Sequence, residues 1–210
     1  MIYEIDLLED EQLLFLRDKL KDLEYVDGNI TNPSSVKRNK MCYDGELYKK
    51  LNYTYSKILN KKIIHTFNVR RTSQLYFAEY NEGARYGYHI DDTPIGGVFT
   101  HYSLTCFLSN PSEYEGGELV IKIGNKELEY KLEAGRALIY PTGLWHKVNE
   151  IKSGSRKVFV CWIESIIQDS FMRNYLAEFG NFIKDCDADD EILENLEHFR
   201  MNLIREYGKI

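Results

Sequence analysis

The stretch from residue 63 to residue 164 consists of short apolar segments separated by turn residues, and this pattern restricts the fold more than any other feature of the sequence. Val, Ile, Tyr and Phe dominate the segments, as is typical of strands. Turn signals such as Asn110-Pro111, Gly116-Gly117 and Gly124-Asn125 separate them. The predicted strands are 63–69, 74–80, 86–91, 99–108, 118–123, 127–132, 136–140, 145–149 and 156–163. Strands at this spacing predict a sandwich or barrel, with a double-sheet jelly roll as the preferred arrangement.

Helical periodicity flanks the strand-rich part on both sides. Apolar residues recur at helical spacing over about residues 10–22 and again after Asp44, with a long polar loop, 27–44, between them. Two further apolar helix faces, 167–183 and 192–204, follow the last strand. Such helices cannot stand alone in water, so they must pack on the barrel, on each other or on a second subunit.

We therefore predict a mainly β fold with flanking helices, in which a double-stranded β-helix (jelly roll) core carries a C-terminal helical pair. Residues 1–62 would form N-terminal helical and strand support, 63–165 the core, and 166–210 a helical extension packed on the core.

The composition allows a sizeable core and gives no sign of a strongly charged partner. Of the 210 residues, 43% are hydrophobic, and the net charge of -6 argues against nucleic-acid binding through the overall field. No apolar run is long enough to span a membrane, and the first residues lack a signal-peptide pattern, so we expect a cytoplasmic protein. The four cysteines form no CxxC pair, which speaks against a zinc knuckle.

The sequence His89-Ile90-Asp91 is the first part of a candidate metal site. In an extended strand, residues two apart lie on one face, so the imidazole and the carboxylate would point into the same space. His146, which follows a tight turn, would supply the third ligand. Two histidines and one carboxylate on one face of a metal leave its other positions open, as in non-haem Fe(II) oxygenases. His101 is a weaker rival ligand because no carboxylate lies two positions away.

Arg156 is the candidate for binding a second group at this site. Its predicted strand follows that of His146 after a hairpin-length gap, so pairing of the two strands would place Arg156 beside His146. The planar guanidinium can hold a carboxylate with two parallel hydrogen bonds. This residue would therefore bind the distal carboxylate of a 2-oxo acid whose other end chelates the metal.

Several longer motifs resemble those of a known family. They are Glu24-Tyr-Val-Asp-Gly28, Val36-Lys37, Tyr80-x-x-Gly83-x-x-Tyr86-x-x-His89-x-Asp91, Phe107-Leu-Ser-Asn-Pro111, Tyr114-Glu-Gly-Gly-Glu-Leu119, Leu132-Glu-Ala-Gly135, Tyr140-Pro141, Trp162-Ile163 and the segment from Asp190 to Tyr207. Together they resemble the 2-oxoglutarate- and Fe(II)-dependent oxygenases of the prolyl 4-hydroxylase superfamily, and specifically the bacterial PKHD-type hydroxylases, over nearly the whole chain.

The resemblance implies a double-stranded β-helix with Fe(II) bound by His89, Asp91 and His146. It further implies that Arg156 anchors the C5 carboxylate of 2-oxoglutarate, and that Tyr80 and Ser103 also contact this cosubstrate. Members of the family are often associated with ascorbate, which would re-reduce the iron. The implied partners are 2-oxoglutarate, O2 and a substrate that the sequence does not identify.

Three functional hypotheses follow from these observations. The first is a hydroxylase that acts on a protein side chain such as proline, or on a small molecule, and releases succinate and CO2. A peptide substrate would favour an open groove flanked by the 29–43 and 92–97 loops, whereas a small molecule would favour a closed lid. The second is a non-catalytic jelly-roll binding module, against which the intact ligand set speaks. The third is a cupin-type metalloenzyme, which usually has a tighter histidine cluster. Asp92 after the motif and the insert between Asn68 and Gln74 depart from the family pattern and leave the substrate open.

Overall fold

Two antiparallel sheets face each other across an internal cavity in the computed structural model, which describes residues 1–30 and 37–209. The larger sheet has the order β1 (Tyr3–Asp6), β12 (Arg136–Pro141), β8 (Tyr102–Phe107), β14 (Ile151–Ser165), β6 (Tyr76–Asn81), β4 (Lys40–Cys42) and β2 (Val26–Asp27). β5 (Val69–Thr72) and β9 (Tyr114–Gly116) also pair with β14. The smaller sheet has the order β11 (Lys126–Tyr130), β10 (Leu119–Ile123), β13 (His146–Val148), β7 (Arg85–His89) and β3 (Lys37–Arg38). The predicted mainly β architecture is confirmed.

Four α-helices accompany the sheets in the described part of the chain: α1 (Asp10–Lys19), α2 (Glu46–Ile63), α3 (Ser170–Asp185) and α4 (Asp190–Tyr207). Short 3-10 turns cover 20–22, 28–30 and 111–113. The side chains of Asp169 and Asp189 cap α3 and α4 by accepting from backbone N–H groups of the first turn. The C-terminal helical pair is thus present. In residues 1–30 and 37–209 no helix is long and apolar enough to cross a bilayer.

The larger sheet is buried on both faces, and the alternation of side chains along β14 shows why. Phe159, Cys161 and Ile163 belong to a core that includes residues of α1 and α2. Val158 lies on the other face, in a second core between the two sheets. From Val158 to Ile163, where β14 is covered on both sides, its sequence is accordingly apolar, whereas the part from Lys152 to Lys157 is mostly polar.

Two predicted boundaries are wrong for physical reasons. The segment 63–69 is not a strand: Ile63 ends α2, because it continues the buried stripe of Leu59 one helical turn earlier, and β5 begins only at Val69. The last strand begins at Ile151 rather than at 156. Gly154 takes φ 78° there, and any side chain would approach the carbonyl oxygen of Glu113 to 2.2 Å. The glycine therefore lets the strand extend through residues that were predicted to precede it.

The predicted 27–44 loop contains three short strands, β2, β3 and β4, and its residues 31–36 lie outside the described part of the chain. Lys37 pairs with Tyr86 in the smaller sheet, whereas Met41 pairs with Ala78 in the larger one. This segment therefore crosses from one sheet to the other and forms one wall of the cavity.

Candidate active site

His89, Asp91 and His146 come together in the lining of the cavity. His89 ends β7 and His146 begins β13, and the two residues are direct partners across the antiparallel ladder. Asp91 lies two residues beyond the end of β7, rather than within the strand as predicted. Its Oδ1 atom lies 3.4 Å from Nε2 of His89 and 3.6 Å from Nε2 of His146. One possible ligand atom from each of the three residues lies within 4.8 Å of the others.

The orientation of both imidazole rings is fixed by hydrogen bonds of Nδ1, on the side of each ring that faces away from the cluster. Nδ1 of His89 lies 2.9 Å from the carbonyl oxygen of Gly87, and Nδ1 of His146 lies 3.0 Å from that of Leu144. Because a carbonyl only accepts, each Nδ1 donates. In a protonated ring Nε2 then donates to Asp91, whereas in a neutral ring the Nε2 lone pair points toward the cluster. Tyr86 stacks on His89 with ring centroids 3.6 Å apart. This is the arrangement in which metal-binding histidines are usually held.

The carboxylate of Asp91 is ionised in this setting. Burial opposes its charge, but hydrogen bonds with His146 and His89 outweigh burial and hold the pKa of the carboxyl well below its usual range. For His146, burial favours the neutral ring, but the hydrogen bond and charge of Asp91 outweigh it and raise the pKa. A carboxylate flanked by two imidazoles, with ligand atoms 3.4–3.6 Å apart, fits a divalent transition metal.

Arg156 lies inside the same cavity, but not by the route that the sequence suggested. β14 and β13 belong to different sheets, so Arg156 is not paired with the strand of His146. It pairs with Tyr80 on β6 instead, and it reaches the cavity from the larger sheet. The prediction of adjacent strands is therefore wrong, because the sequence shows only that the strands are consecutive.

The surroundings of Arg156 are largely apolar. The residue is 1% exposed, and its guanidinium carbon lies 5.1 Å from the ring centroid of Tyr80 and 5.3 Å from that of Phe107. Within residues 1–30 and 37–209, its Nε and Nη2 atoms have no hydrogen-bond partner. A buried cation with unsatisfied donors is costly unless an anion binds it. The pocket therefore suits a carboxylate.

The two remaining predicted residues also face the cavity. Tyr80 is buried, which raises the pKa of its hydroxyl, so this group stays protonated. Ser103, on β8, donates its Oγ hydrogen to Oδ2 of Asp91 at 2.8 Å. The structure thus places Ser103 against the carboxylate, and its predicted contact with 2-oxoglutarate stays a prediction. The rival ligand His101 lies elsewhere, where its Nδ1 accepts a hydrogen bond from the backbone N–H of Ser165 at 3.0 Å.

Two cavity residues escaped the prediction of the site. Trp162 donates from Nε1 to Oδ2 of Asp91 at 2.9 Å. The period of two along β14 places it on the same face as Arg156, and that spacing is the signal that could have identified it. Lys37 is 5% exposed, with Nζ 3.1 Å from Sδ of Met41 and 5.1 Å from the ring centroid of Tyr86. Burial lowers the pKa of this lysine to about 8.

The cavity has a volume of about 250 Å³, and its lining includes all six residues predicted from the sequence. These are Tyr80, His89, Asp91, Ser103, His146 and Arg156. The triad and Arg156 both belong to this lining, and the guanidinium lies between the rings of Tyr80 and Phe107. A small dianion that chelates a metal at one end and carries a carboxylate at the other matches this distribution of charge.

The chain is similar to known proteins in both sequence and fold. A family model described as the 2OG-Fe(II) oxygenase superfamily matches residues 75–164. A PKHD-type hydroxylase of Gloeothece citriformis is 35% identical over 178 residues, which are 81% of each chain. The chain also resembles a Trichoplax adhaerens prolyl hydroxylase solved with a hypoxia inducible factor peptide, with a TM-score of 0.60 and 16% identity over 83% of this chain and 86% of that one.

A further similar structure is HygX from Streptomyces hygroscopicus with nickel, 2-oxoglutarate and hygromycin B bound, with a TM-score of 0.59 and 12% identity over 78% of this chain and 82% of that one. These two structural likenesses concern the fold. The sequence relationship extends over most of the chain, and the family is one of oxygenases that use iron and 2-oxoglutarate. The chain therefore belongs to the PKHD-type hydroxylases of the 2OG-Fe(II) oxygenase superfamily.

Proposed function

We propose that His89, Asp91 and His146 bind the iron of this hydroxylase and that Arg156 binds the C5 carboxylate of 2-oxoglutarate. The observation that carries the proposal is the presence, in one cavity, of a clustered His-Asp-His set and a buried guanidinium with two unsatisfied nitrogen atoms in the described structure. The His-Asp-His set can bind a metal ion, whereas the buried guanidinium of Arg156 can bind an anion, and neither group satisfies the other. Fe(II) and a 2-oxo dicarboxylate together satisfy both.

Iron and 2-oxoglutarate, when bound by these residues, would supply the oxidising chemistry, in which one atom of O2 enters succinate, the other enters a C–H bond of the substrate, and CO2 is released. The contribution of the chain is binding and orientation. The ionised Asp91 and the two Nε2 lone pairs offer three ligands on one side and leave the other side open. Tyr80 packs against the guanidinium of Arg156, and its neutral hydroxyl can donate to a carboxylate.

The proposal leaves the substrate unnamed, because the similar proteins differ in this respect. The Trichoplax enzyme was solved with a peptide, and HygX was solved with hygromycin B. At the mouth of the cavity of this chain lie Ile90, which is 42% exposed, together with Asp92 and Ile95. Cytoplasmic placement and the use of ascorbate stay predictions from the sequence.

The proposal is tested by adding Fe(II) and then 2-oxoglutarate to metal-free protein without O2, and measuring the visible charge-transfer band of the chelated oxo acid. We expect the band in the wild type and in Asp92→Ala, the matched control for a neighbouring carboxylate, and no band in Asp91→Ala. Arg156→Met should retain iron but require at least about 10-fold more 2-oxoglutarate, since a charged hydrogen-bonded pair contributes roughly 1.5–3 kcal/mol. Lys157→Met is the control for that change.

A folded wild-type protein that gives no band would contradict the proposal and favour the non-catalytic binding module. An Arg156→Met variant with unchanged 2-oxoglutarate affinity would contradict the assignment of the cosubstrate anchor alone. The two parts of the proposal can therefore fail separately.

A further inference from the structure

The two oxygen atoms of Asp91 have different surroundings. Oδ1 faces the Nε2 atoms of both histidines, at 3.4 and 3.6 Å. Oδ2 points the other way and accepts two hydrogen bonds, from Oγ of Ser103 at 2.8 Å and from Nε1 of Trp162 at 2.9 Å. One oxygen is therefore available to a metal, and the other is occupied by the protein.

A second hydroxyl, that of Thr142, extends this arrangement. Oγ of Ser103 also lies 3.1 Å from Oγ1 of Thr142. A serine hydroxyl has a single hydrogen, and the carboxylate can only accept, so Ser103 donates to Asp91 and accepts from Thr142. Ser103 and Thr142 are 3% exposed. The single hydrogen of the serine hydroxyl is therefore directed at Oδ2 of Asp91.

The position of Asp91 in the chain explains why it needs this support. The two histidines belong to paired strands of the smaller sheet, so the backbone ladder fixes them. Asp91 lies beyond the end of β7 and has no such ladder. Its side chain is attached instead to the larger sheet, through Ser103 on β8 and Trp162 on β14, which are themselves direct partners. The cluster is therefore assembled from ligands fixed by two different sheets.

We propose that Ser103 and Trp162 are positioning residues that hold Asp91 as a one-oxygen metal ligand and so keep the opposite side of the metal open for cosubstrate and O2. This inference rests on the proposed function. A carboxylate whose second oxygen is free can turn and bind a metal through both oxygens, which would fill a position that the reaction needs. Two donors on Oδ2 oppose that rotation. For Ser103 the inference replaces the predicted contact with 2-oxoglutarate.

The test uses Ser103→Ala and Trp162→Phe, separately and together, in the full-length protein. The matched controls are Ser109→Ala, which removes a buried hydroxyl bonded to the backbone of β14 and not to a proposed metal ligand, and Trp145→Phe, which changes the other tryptophan, 51% exposed. Metal affinity is measured with Fe(II) without O2, and coordination is followed by the visible spectrum of the Co(II)-loaded protein, which depends on the number of ligands. Thermal unfolding of the metal-free variants shows whether each one folds.

We expect each site variant to lower metal affinity by about 10-fold, as is typical for loss of a hydrogen bond to a metal ligand. The double variant should also change the Co(II) spectrum toward a higher coordination number. Ser103→Thr, which keeps the hydroxyl, should restore wild-type affinity, and both controls should match the wild type. Trp162→Phe keeps the ring that packs against Tyr76 at 5.4 Å, and Ser103→Ala removes one atom, so at least one variant stays foldable.

Unchanged metal affinity and an unchanged Co(II) spectrum in folded Ser103→Ala would overturn the inference. So would a Ser103→Ala variant that binds metal normally but binds 2-oxoglutarate weakly, because the serine would then contact the cosubstrate. If the wild type itself binds neither Fe(II) nor Co(II), the proposed function fails first, and the two failures are thereby distinguished.

Discussion

At the residue scale, the cavity contains two cationic side chains, Lys37 and Arg156, which extend from different sheets. Arg156 reaches the cavity from the larger sheet, and two of its nitrogen atoms have no hydrogen-bond partner in the described structure. This is expected for a residue whose function is to bind an anion. Lys37 enters from the smaller sheet, and burial lowers its pKa to about 8. At neutral pH the lysine is still charged, so the folded protein bears the cost of burying it.

Replacement of Lys37 by the uncharged methionine should therefore stabilise the protein at pH 7. The folded-state pKa of about 8 lies below the model-peptide value of 10.5, so folding releases a proton between these values and wild-type stability rises with pH through that window. We expect Lys37→Met to raise the melting temperature at pH 7 and the gain to shrink as the pH rises from about 8 to about 10. Thermal unfolding across this range measures the effect. Lys40→Met, at an exposed position, should show no such trend, and a pH-independent gain would contradict the explanation.

At the scale of elements, β14 is the strand on which the larger sheet depends. It pairs with β5, β6, β8 and β9 and carries Arg156 and Trp162 into the cavity. Near its end, Glu164 accepts hydrogen bonds from Arg70 at 2.9 Å, from Arg71 at 2.7 Å and from the backbone N–H of Phe99 at 3.0 Å. One buried carboxylate thus joins β14 to β5 and to the segment that leads into β8.

Glu164→Gln should destabilise the protein by about 2 kcal/mol, because a buried charged acceptor is lost while its half-exposed arginine partners can turn to water. Burial alone would raise the pKa of Glu164, but the bonds from Arg71 and Phe99 lower it. The carboxylate therefore stabilises the fold above its usual pKa of 4.5, and this contribution is lost as the pH falls below that value. Chemical denaturation at pH 7 and pH 4 tests both effects. Glu150→Gln, in an exposed pair with Arg85, should change stability by less than about 0.5 kcal/mol.

At the scale of the whole molecule, the C-terminal helices contact the body through α3, whose Asn174 lies within hydrogen-bond distance of Tyr102, and through a buried arginine of α4 and the end of the chain. Arg200 of α4 is 3% exposed, passes beside Gly180 of α3, and donates to the carbonyl oxygen of His65 just beyond α2. The backbone N–H of Lys209 also donates to the carbonyl oxygen of Ile166 at 2.8 Å. The helical pair therefore packs on the core through specific polar contacts. The division of the chain at residues 62 and 165 stays a prediction.

Arg200→Met should lower the melting temperature by about 4–8 °C, which corresponds to roughly 2 kcal/mol for a chain of this size, because the carbonyl of His65 loses its donor. Metal binding should be unchanged, since the cluster lies between the two sheets. Differential scanning calorimetry, together with the Fe(II) titration, measures both. Arg205→Met, on the same helix but bonded only to Asn202 in the described structure, is the matched control. A melting temperature equal to that of the control would show that the helices do not depend on Arg200.

The amino-acid sequence by itself determined the types of element, the jelly-roll class and the identity of the candidate ligands. Strand periodicity, turn residues and the His89-x-Asp91 spacing are local properties, and they can be read without knowing which strands are neighbours. His146 and Arg156 are not distinctive alone, and they were indicated by their positions on later strands relative to His89-x-Asp91 and by the family resemblance.

Only the tertiary structure decided how these residues meet. His146 pairs with His89 in one sheet, whereas Arg156 comes from the other, and nothing in the spacing of two consecutive strands distinguishes these possibilities. The bonds from Ser103 and Trp162 to Asp91 likewise join residues 12 and 71 positions apart. Such contacts depend on which strands lie side by side, and in a jelly roll that is set by packing of the whole chain rather than by any segment of it.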